Sequence, residues 1–345
     1  MKRIFIVAEI GCNHNGNAEL AHKMVLEAKK CGVDAVKFQT FKARDEISRF
    51  APKAEYQKEN TGSSESQFEM VEKLELTHKE FAELKSYAES LGLVAFSTPF
   101  DMGSIEFLDS LGQKVWKIPS GEITNLPYLQ KIGGLKREGK KIIVSSGMAT
   151  VEEMKTCIKI LVESGTPEKD ITLLHCNTEY PTPDCDVNIL AINDLKKNFP
   201  NLSIGFSDHS VGYIAAVGAA MLGISIIEKH FTLDKNMEGP DHKASADPAD
   251  LKALCESVRR IETMAGLGKK IVTDSERKNK IVARKSIVAL CSIKKGEVFT
   301  DKNITCKRPG NGISPLEWYN IQGKAAERDF QEDELIEDSR FCNQF

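Results

Sequence analysis

The chain has 345 residues, more than one compact core usually takes, yet enough for a barrel of roughly 250 residues and a small second domain. With 41% hydrophobic and 28% charged residues it has an ordinary globular balance, which argues against a disordered or membrane-embedded chain. A formal charge of -3 gives no electrostatic reason to expect nucleic acid as a partner, and no apolar run approaches a membrane span.

Short apolar runs rich in β-branched residues recur along the chain, each followed by an amphipathic stretch of helical length. This is the rhythm of repeated βα units. The spacing predicts strands over Ile4 to Glu9, Ala35 to Gln39, Val94 to Thr98, Val115 to Ile118, Lys141 to Ser145, Ile171 to His175, Ser203 to Ser207 and Ser225 to His230. Helices are expected between them, among them Ala18 to Cys31, Lys79 to Leu91, Val151 to Ser164 and Asp247 to Met264. Eight such units close an α/β TIM (β/α)8 barrel, here over residues 1–268. Residues 43–75, with Ala51-Pro52-Lys53 and Asn60-Thr61-Gly62-Ser63-Ser64, break the rhythm and read as a long loop. A charged linker is expected over 269–284. A small, mostly β or irregular domain follows over 285–345, marked by the turns Lys294-Lys295-Gly296 and Pro309-Gly310-Asn311-Gly312.

The nine cysteines, at 12, 31, 157, 176, 185, 255, 291, 306 and 342, include no CxxC pair and no zinc-ribbon spacing, which suits buried or incidental thiols in a reducing compartment. The N-terminal apolar run is too short for a signal peptide and ends in Glu9. A cytoplasmic protein is expected.

Barrel sites lie at the C-terminal ends of the strands, so what each strand ends with is diagnostic. The ends here are Glu9; Lys37 and Gln39; Ser97-Thr98; Lys117 with Ser120 and Glu122; Ser145; His175 leading to Thr178 and Tyr180; Ser207-Asp208-His209; and Glu228-Lys229-His230. Singly, each has an ordinary structural explanation, which is kept for His22, His78 and Cys176. Eight apolar strands ending together in such residues point to catalysis on an anionic substrate. Lysines, hydroxyls and turn amides suit phosphate, and His209 with His230 suit a metal.

The strings Val7-Ala8-Glu9-Ile10-Gly11-Cys12-Asn13-His14-Asn15-Gly16, Val36-Lys37-Phe38-Gln39-Thr40, Lys117-Ile118-Pro119-Ser120-Gly121-Glu122, Gly205-Phe206-Ser207-Asp208-His209-Ser210 and Ile227-Glu228-Lys229-His230-Phe231-Thr232 closely resemble those of bacterial N-acetylneuraminate (sialic acid) synthases. The likeness runs on through Gly239-Pro240-Asp241-His242 and Lys307-Arg308-Pro309-Gly310-Asn311-Gly312. It implies a transferase that condenses phosphoenolpyruvate with N-acetylmannosamine and water to give N-acetylneuraminate and phosphate. It also implies a C-terminal antifreeze-like (SAF) domain and a domain-swapped homodimer; in a bacterium the product would serve surface polysaccharide or capsule.

By matching positions, the resemblance implies that His209 and His230 hold a divalent metal, preferably Mn2+, with Glu228 nearby. Phosphoenolpyruvate would be held by Lys37, Thr98, Lys117, Ser120, Ser145, Thr178 and Ser207, with Asn177 an alternative to Thr178. The sugar would be held by Gln39, Tyr180, Asp241 and, from the partner's tail, Arg308. Glu9 and Glu122 would handle protons. The alternatives are synthesis of legionaminic or pseudaminic acid by the same chemistry, a Schiff-base aldolase using Lys37 or Lys117, and a carbohydrate- or ice-binding protein.

Overall fold

The computed structural model describes residues 2–61 and 66–341; Gly62, Ser63 and Ser64 of the expected loop, and Cys342, lie outside the described residues. Two compact units divide the chain, Met1–Leu267 and Gly268–Phe345.

In the first unit, β1 (Phe5–Glu9), β2 (Ala35–Thr40), β3 (Val94–Pro99), β4 (Val115–Ile118), β5 (Lys141–Ser145), β6 (Ile171–His175), β7 (Ser203–Asp208) and β8 (Ile226–His230) form one parallel sheet in the order β3-β2-β1-β8-β7-β6-β5-β4. The ring closes where β3 packs beside β4. At that seam a side chain stands in for the ladder: Gln113 accepts from the Ser97 amide at 2.8 Å and donates to the Ser97 carbonyl at 2.9 Å. The Tyr128 hydroxyl donates to the Pro99 carbonyl at 2.7 Å on the same edge. Buried backbone groups need partners, and these supply them where no strand hydrogen bonds do.

A helix follows every strand, as the sequence rhythm requires. Ala18–Cys31 is typical: Ala21, Met24, Val25 and Ala28 bury one stripe, Asn17 caps the start by accepting from the Leu20 amide, and Gly32 at φ 93° ends it. Val151–Glu163 starts on a capping box of Thr150 and Glu153. Residues 43–75 are not a plain loop; they carry short helices over Ala43–Glu46, Glu55–Thr61 and Gln67–Glu72, the last begun by a Ser66–Glu69 capping box.

Each strand's side chains alternate between the barrel interior and the helix layer. Inside, the N-terminal half is filled by Val7, Ala35, Phe96, Ile143 and Leu174. On the same face, two residues further along, stand Glu9, Lys37, Thr98 and Ser145. The interior therefore changes from apolar to polar along the barrel axis, and the floor of a site is formed by the residues just above the packed core.

Near its start the second unit carries Asp274–Ala283, a helix that buries no side chain and starts on a Thr273–Glu276 capping box, within the charged segment expected as a linker. β9 (Ser286–Ala289) and β10 (Ile304–Lys307) pair antiparallel, and Ile287, Phe299, Ile304, Ile313, Ile321, Phe330 and Ile336 make a small core of their own. No helix among the described residues is long and apolar enough to cross a membrane.

Candidate active site

At the C-terminal end of the barrel a cavity of about 390 Å³ is lined by Lys37, Gln39, Thr98, Lys117, Ser120, Glu122, Ser145, Thr178, Tyr180, Ser207, His209, Glu228, His230 and Asp241, together with residues of the β2–β3 connection. Nearly every barrel residue singled out from the sequence is thus brought to one place.

The floor is a network of buried charge. Lys37 lies 2.5 Å from Glu9 and 3.7 Å from Glu228, and Lys117 donates to both oxygens of Glu228 at 2.8 and 3.2 Å. Ser207 adds a hydrogen bond to Glu228 at 2.9 Å, and Lys37 donates to Thr98 at 3.2 Å. Burial alone would push Glu228 up, yet the two ammonium groups, Lys117 foremost, hold it well below the usual carboxylate range. Burial pulls Lys37 down, but Glu228 and Glu9 outweigh it and keep that lysine charged. Burial dominates at Lys117, which is lowered, and at Glu9, which is raised.

Glu9 differs from the expectation in one respect. It is fully buried beneath the lining, its Oε1 accepting from Gln39 at 3.1 Å and its Oε2 facing Lys37. A side chain on Gly11, at φ 36°, would come within 2.4 Å of that carboxylate, so glycine is needed for the chain to close over it. Glu122, by contrast, lines the cavity; burial raises its carboxyl, and Asn125 donates to it at 2.6 Å. Ser120 Oγ accepts from the Gly147 amide at 3.1 Å, which fixes the turn after β4 against the turn after β5. Thr178 is part of the lining. Asn177 is occupied elsewhere: its side chain accepts from the Glu179 amide at 2.7 Å and its carbonyl bonds His209 Nδ1.

His209 and His230 face each other with ring centroids 5.3 Å apart, and Tyr180 stacks on His209 at 4.2 Å. Burial brings His209 down to about 4 and His230 well below its ordinary value, so both imidazoles are neutral at pH 7. The bond from His209 Nδ1 to the Asn177 carbonyl leaves Nε2 as the lone-pair nitrogen, 3.2 Å from both the Tyr180 and Ser207 hydroxyls. His230 Nδ1 is buried without a hydrogen-bond partner, with Asp241 Oδ2 at 3.7 Å. Neutral imidazoles with an orphaned nitrogen beside a carboxylate fit a divalent ion. Among the described residues no set of three or more His, Cys, Asp or Glu is gathered as a metal site. Glu228 pairs with the lysines and stays beside the histidines, since the Ser207 hydroxyl reaches both Glu228 and His209 Nε2.

Arg308 lies in the second unit, where its Nε donates to the Ala283 carbonyl at 3.1 Å. His22 packs edge-on against Tyr87 and His78 stacks on Phe107, structural contacts as expected. Sequence reasoning missed Glu46, Cys12 and the apolar residues Phe41, Met70 and Phe100, all part of the lining. Two of them, Glu46 and Met70, come from residues 43–75, which the sequence sets apart only by length.

The NeuB family profile matches residues 24–270, well over half of the chain, and the SAF domain profile matches residues 284–341. The chain belongs to the NeuB family. Members of this family similar to it include the N,N'-diacetyllegionaminic acid synthase of Campylobacter jejuni, 50% identical over 97% of this chain and 99% of that protein. The enzyme of the same name from Legionella pneumophila is 44% identical over 92% and 89%. A solved structure of N-acetylneuraminic acid (sialic acid) synthetase from Leptospira borgpetersenii superposes with a TM-score of 0.69 at 32% identity, covering 81% of this chain and 90% of that one. This NeuB-family chain is therefore a synthase with a TIM-barrel catalytic unit and a C-terminal SAF domain.

Proposed function

We propose that this synthase condenses phosphoenolpyruvate with a 2,4-diacetamido trideoxyhexose and water to give N,N'-diacetyllegionaminic acid and phosphate. The observation that carries the reading is the 50% identity, over almost the whole of both chains, to a synthase named for that product. The sequence strings read alone favour N-acetylneuraminate, but likeness to the sialic acid synthetase is lower, at 32%.

The residues suit the reaction. Lys37 and Lys117, with the hydroxyls of Thr98, Ser120, Ser145, Thr178 and Ser207, offer charge-assisted hydrogen bonds to a phosphate and a carboxylate. Binding the dianion there would let the lysines exchange part of their pairing with Glu228 and Glu9 for pairing with substrate. Gln39, Tyr180 and Asp241 stand around the histidines and would orient the open-chain sugar so that its aldehyde carbon meets the phosphoenolpyruvate methylene. A divalent ion, Mn2+ by preference, held by His209 and His230 would polarise the aldehyde oxygen.

Glu122, in the lining and with its carboxyl made more basic by burial, is the group proposed to take the proton from the attacking water. Glu9, under Lys37 and Gln39, is proposed to position those two rather than to meet substrate. Lys37 does not suit a Schiff-base aldolase, because Glu228 and Glu9 hold it in the protonated, non-nucleophilic form. A domain-swapped homodimer, with Arg308 of one tail serving the barrel of the other protomer, remains part of the proposal.

The test is phosphate release from phosphoenolpyruvate with the diacetamido sugar or with N-acetylmannosamine, each with Mn2+ and with excess EDTA. Manganese-dependent turnover favouring the diacetamido sugar supports the reading. Turnover confined to N-acetylmannosamine moves the chain to the N-acetylneuraminate branch, and activity resistant to EDTA removes the metal.

A further inference from the structure

The connection from β2 to β3 gives the cavity a wall unlike its floor. Where the strands contribute lysines, hydroxyls and imidazoles, this segment contributes mainly apolar side chains, Phe41, Ile47, Met70, Val71 and Leu74, with the amides of Gln57 and Gln67 and one carboxyl, Glu46. Glu46 ends the short helix Ala43–Glu46, which is pinned at its start: Glu75 accepts from the Ala43 amide at 2.8 Å and from Lys42 at 2.6 Å, and Asp101 accepts from the Lys42 amide at 2.9 Å. The backbone that carries the carboxyl is thus held in place, and the Glu46 Oε2 is buried with no hydrogen-bond partner. A buried polar atom facing a cavity without a partner costs stability unless something that enters the cavity completes it. Burial first, and then the nearby carboxylates of Glu122, Asp101 and Glu75, push Glu46 up to about 8, so at neutral pH it carries a proton and can donate as well as accept. The wall is also tied to the sugar side of the cavity, since Asn60 donates to the Pro240 carbonyl at 2.7 Å, next to Asp241.

We infer that Glu46 and the apolar side chains beside it form the subsite for the acetamido group at C4 of the sugar, Glu46 hydrogen-bonding the amide carbonyl and Met70, Val71 and Leu74 receiving the methyl. This rests on the diacetamido reading above. The aldehyde carbon and the adjacent C2 substituent belong near the histidines and the bound phosphoenolpyruvate, so C4, two carbons beyond C2, is the substituent with reach to spare for a wall built outside the strand ends. An acetamido group has the two properties this wall asks for, a hydrogen-bonding amide and a methyl. A C4 hydroxyl leaves the apolar surface wet and Glu46 without its acceptor.

The experiment measures kcat and KM at saturating phosphoenolpyruvate and Mn2+ for the wild type, Glu46→Gln and Glu46→Leu, with the 2,4-diacetamido trideoxyhexose and with N-acetylmannosamine. Losing a hydrogen bond in a desolvated subsite should let Glu46→Leu raise KM for the diacetamido sugar about 10- to 100-fold, with kcat, KM for phosphoenolpyruvate and kcat/KM for N-acetylmannosamine each within about threefold of wild type. Glu46→Gln, which keeps a donor and an acceptor, should stay near wild type. A Glu46→Leu variant that discriminates between the sugars as the wild type does, or loses both equally, overturns the subsite while leaving the function intact. A wild type that uses only N-acetylmannosamine overturns both. A further measurement needs no variant: wild type given 2-acetamido-2,6-dideoxyhexose, which differs from the diacetamido sugar only at C4, should lose about tenfold or more in kcat/KM, and equal use of the two overturns the inference.

Discussion

Glu228 is the hinge of the charge network, since it answers Lys117 and Lys37 at once while almost fully buried at the floor of the cavity. Replacing one member of a buried ion pair leaves the others uncompensated, so Glu228→Gln should lower the unfolding free energy by about 3–5 kcal/mol, read from denaturant titration. The sign of the pH dependence follows from the direction of its shift. A carboxyl held below its ordinary value stabilises the fold fully above the ordinary carboxylate range, and that contribution is lost as pH falls through its folded value. The gap between wild type and Glu228→Gln should therefore be widest at neutral pH and narrow in acid. Inorganic phosphate should raise the melting temperature of the variant more than that of the wild type, because it offers the lysines the charge they have lost. An equal rise in both would mean that phosphate does not reach them.

Among the elements, the seam between β3 and β4 is where the barrel depends on a single side chain. Gln113→Leu keeps the volume but strips the Ser97 amide and carbonyl of their partners, and should cost about 2–4 kcal/mol while leaving the other strand pairs in place. Hydrogen exchange should show faster exchange concentrated on β3 and β4; uniform loosening of all eight strands would contradict this account. The strands themselves were legible in the sequence, because short apolar runs rich in β-branched residues, buried on both faces, recur between amphipathic stretches of helical length, so β4, β5 and β6 begin and end where that rhythm places them. The site was legible for a related reason, since residues at strand ends must share one end of a barrel. What could not be read is who pairs with whom across it. Lys117 and Glu228 are 111 positions apart and meet only once the ring has closed. Glu228, two residues before His230, therefore reads as its companion rather than as the partner of lysines. The helices of residues 43–75 were hidden because each is too short to show a period, although the Ser66-x-x-Glu69 spacing carried a local signal.

For the whole molecule, the proposed swap makes a prediction that neither unit makes alone. If Arg308 of one protomer serves the other's barrel, then mixing His209→Ala with Arg308→Ala subunits, each inactive, should restore one intact site per mixed dimer. Random reassortment would then bring back about a quarter of wild-type activity. Recovery should follow subunit exchange in time, and its absence after full exchange would mean that Arg308 acts within its own chain or not at all.

The charged floor has a further consequence for how such a barrel changes over generations. Its members come from β1, β2, β4 and β8, with Lys117 and Glu228 meeting across the ring, so a single replacement unbalances a buried charge network. Drift at those positions is obstructed unless two or three codons change together. The wall supplied by residues 43–75 stands outside the strand ladder, and its apolar residues answer no charge across the barrel, so they can be exchanged one at a time. Lineages derived from this scaffold would then inherit the handling of the phosphorylated partner nearly unchanged and diverge mainly in which sugar they admit.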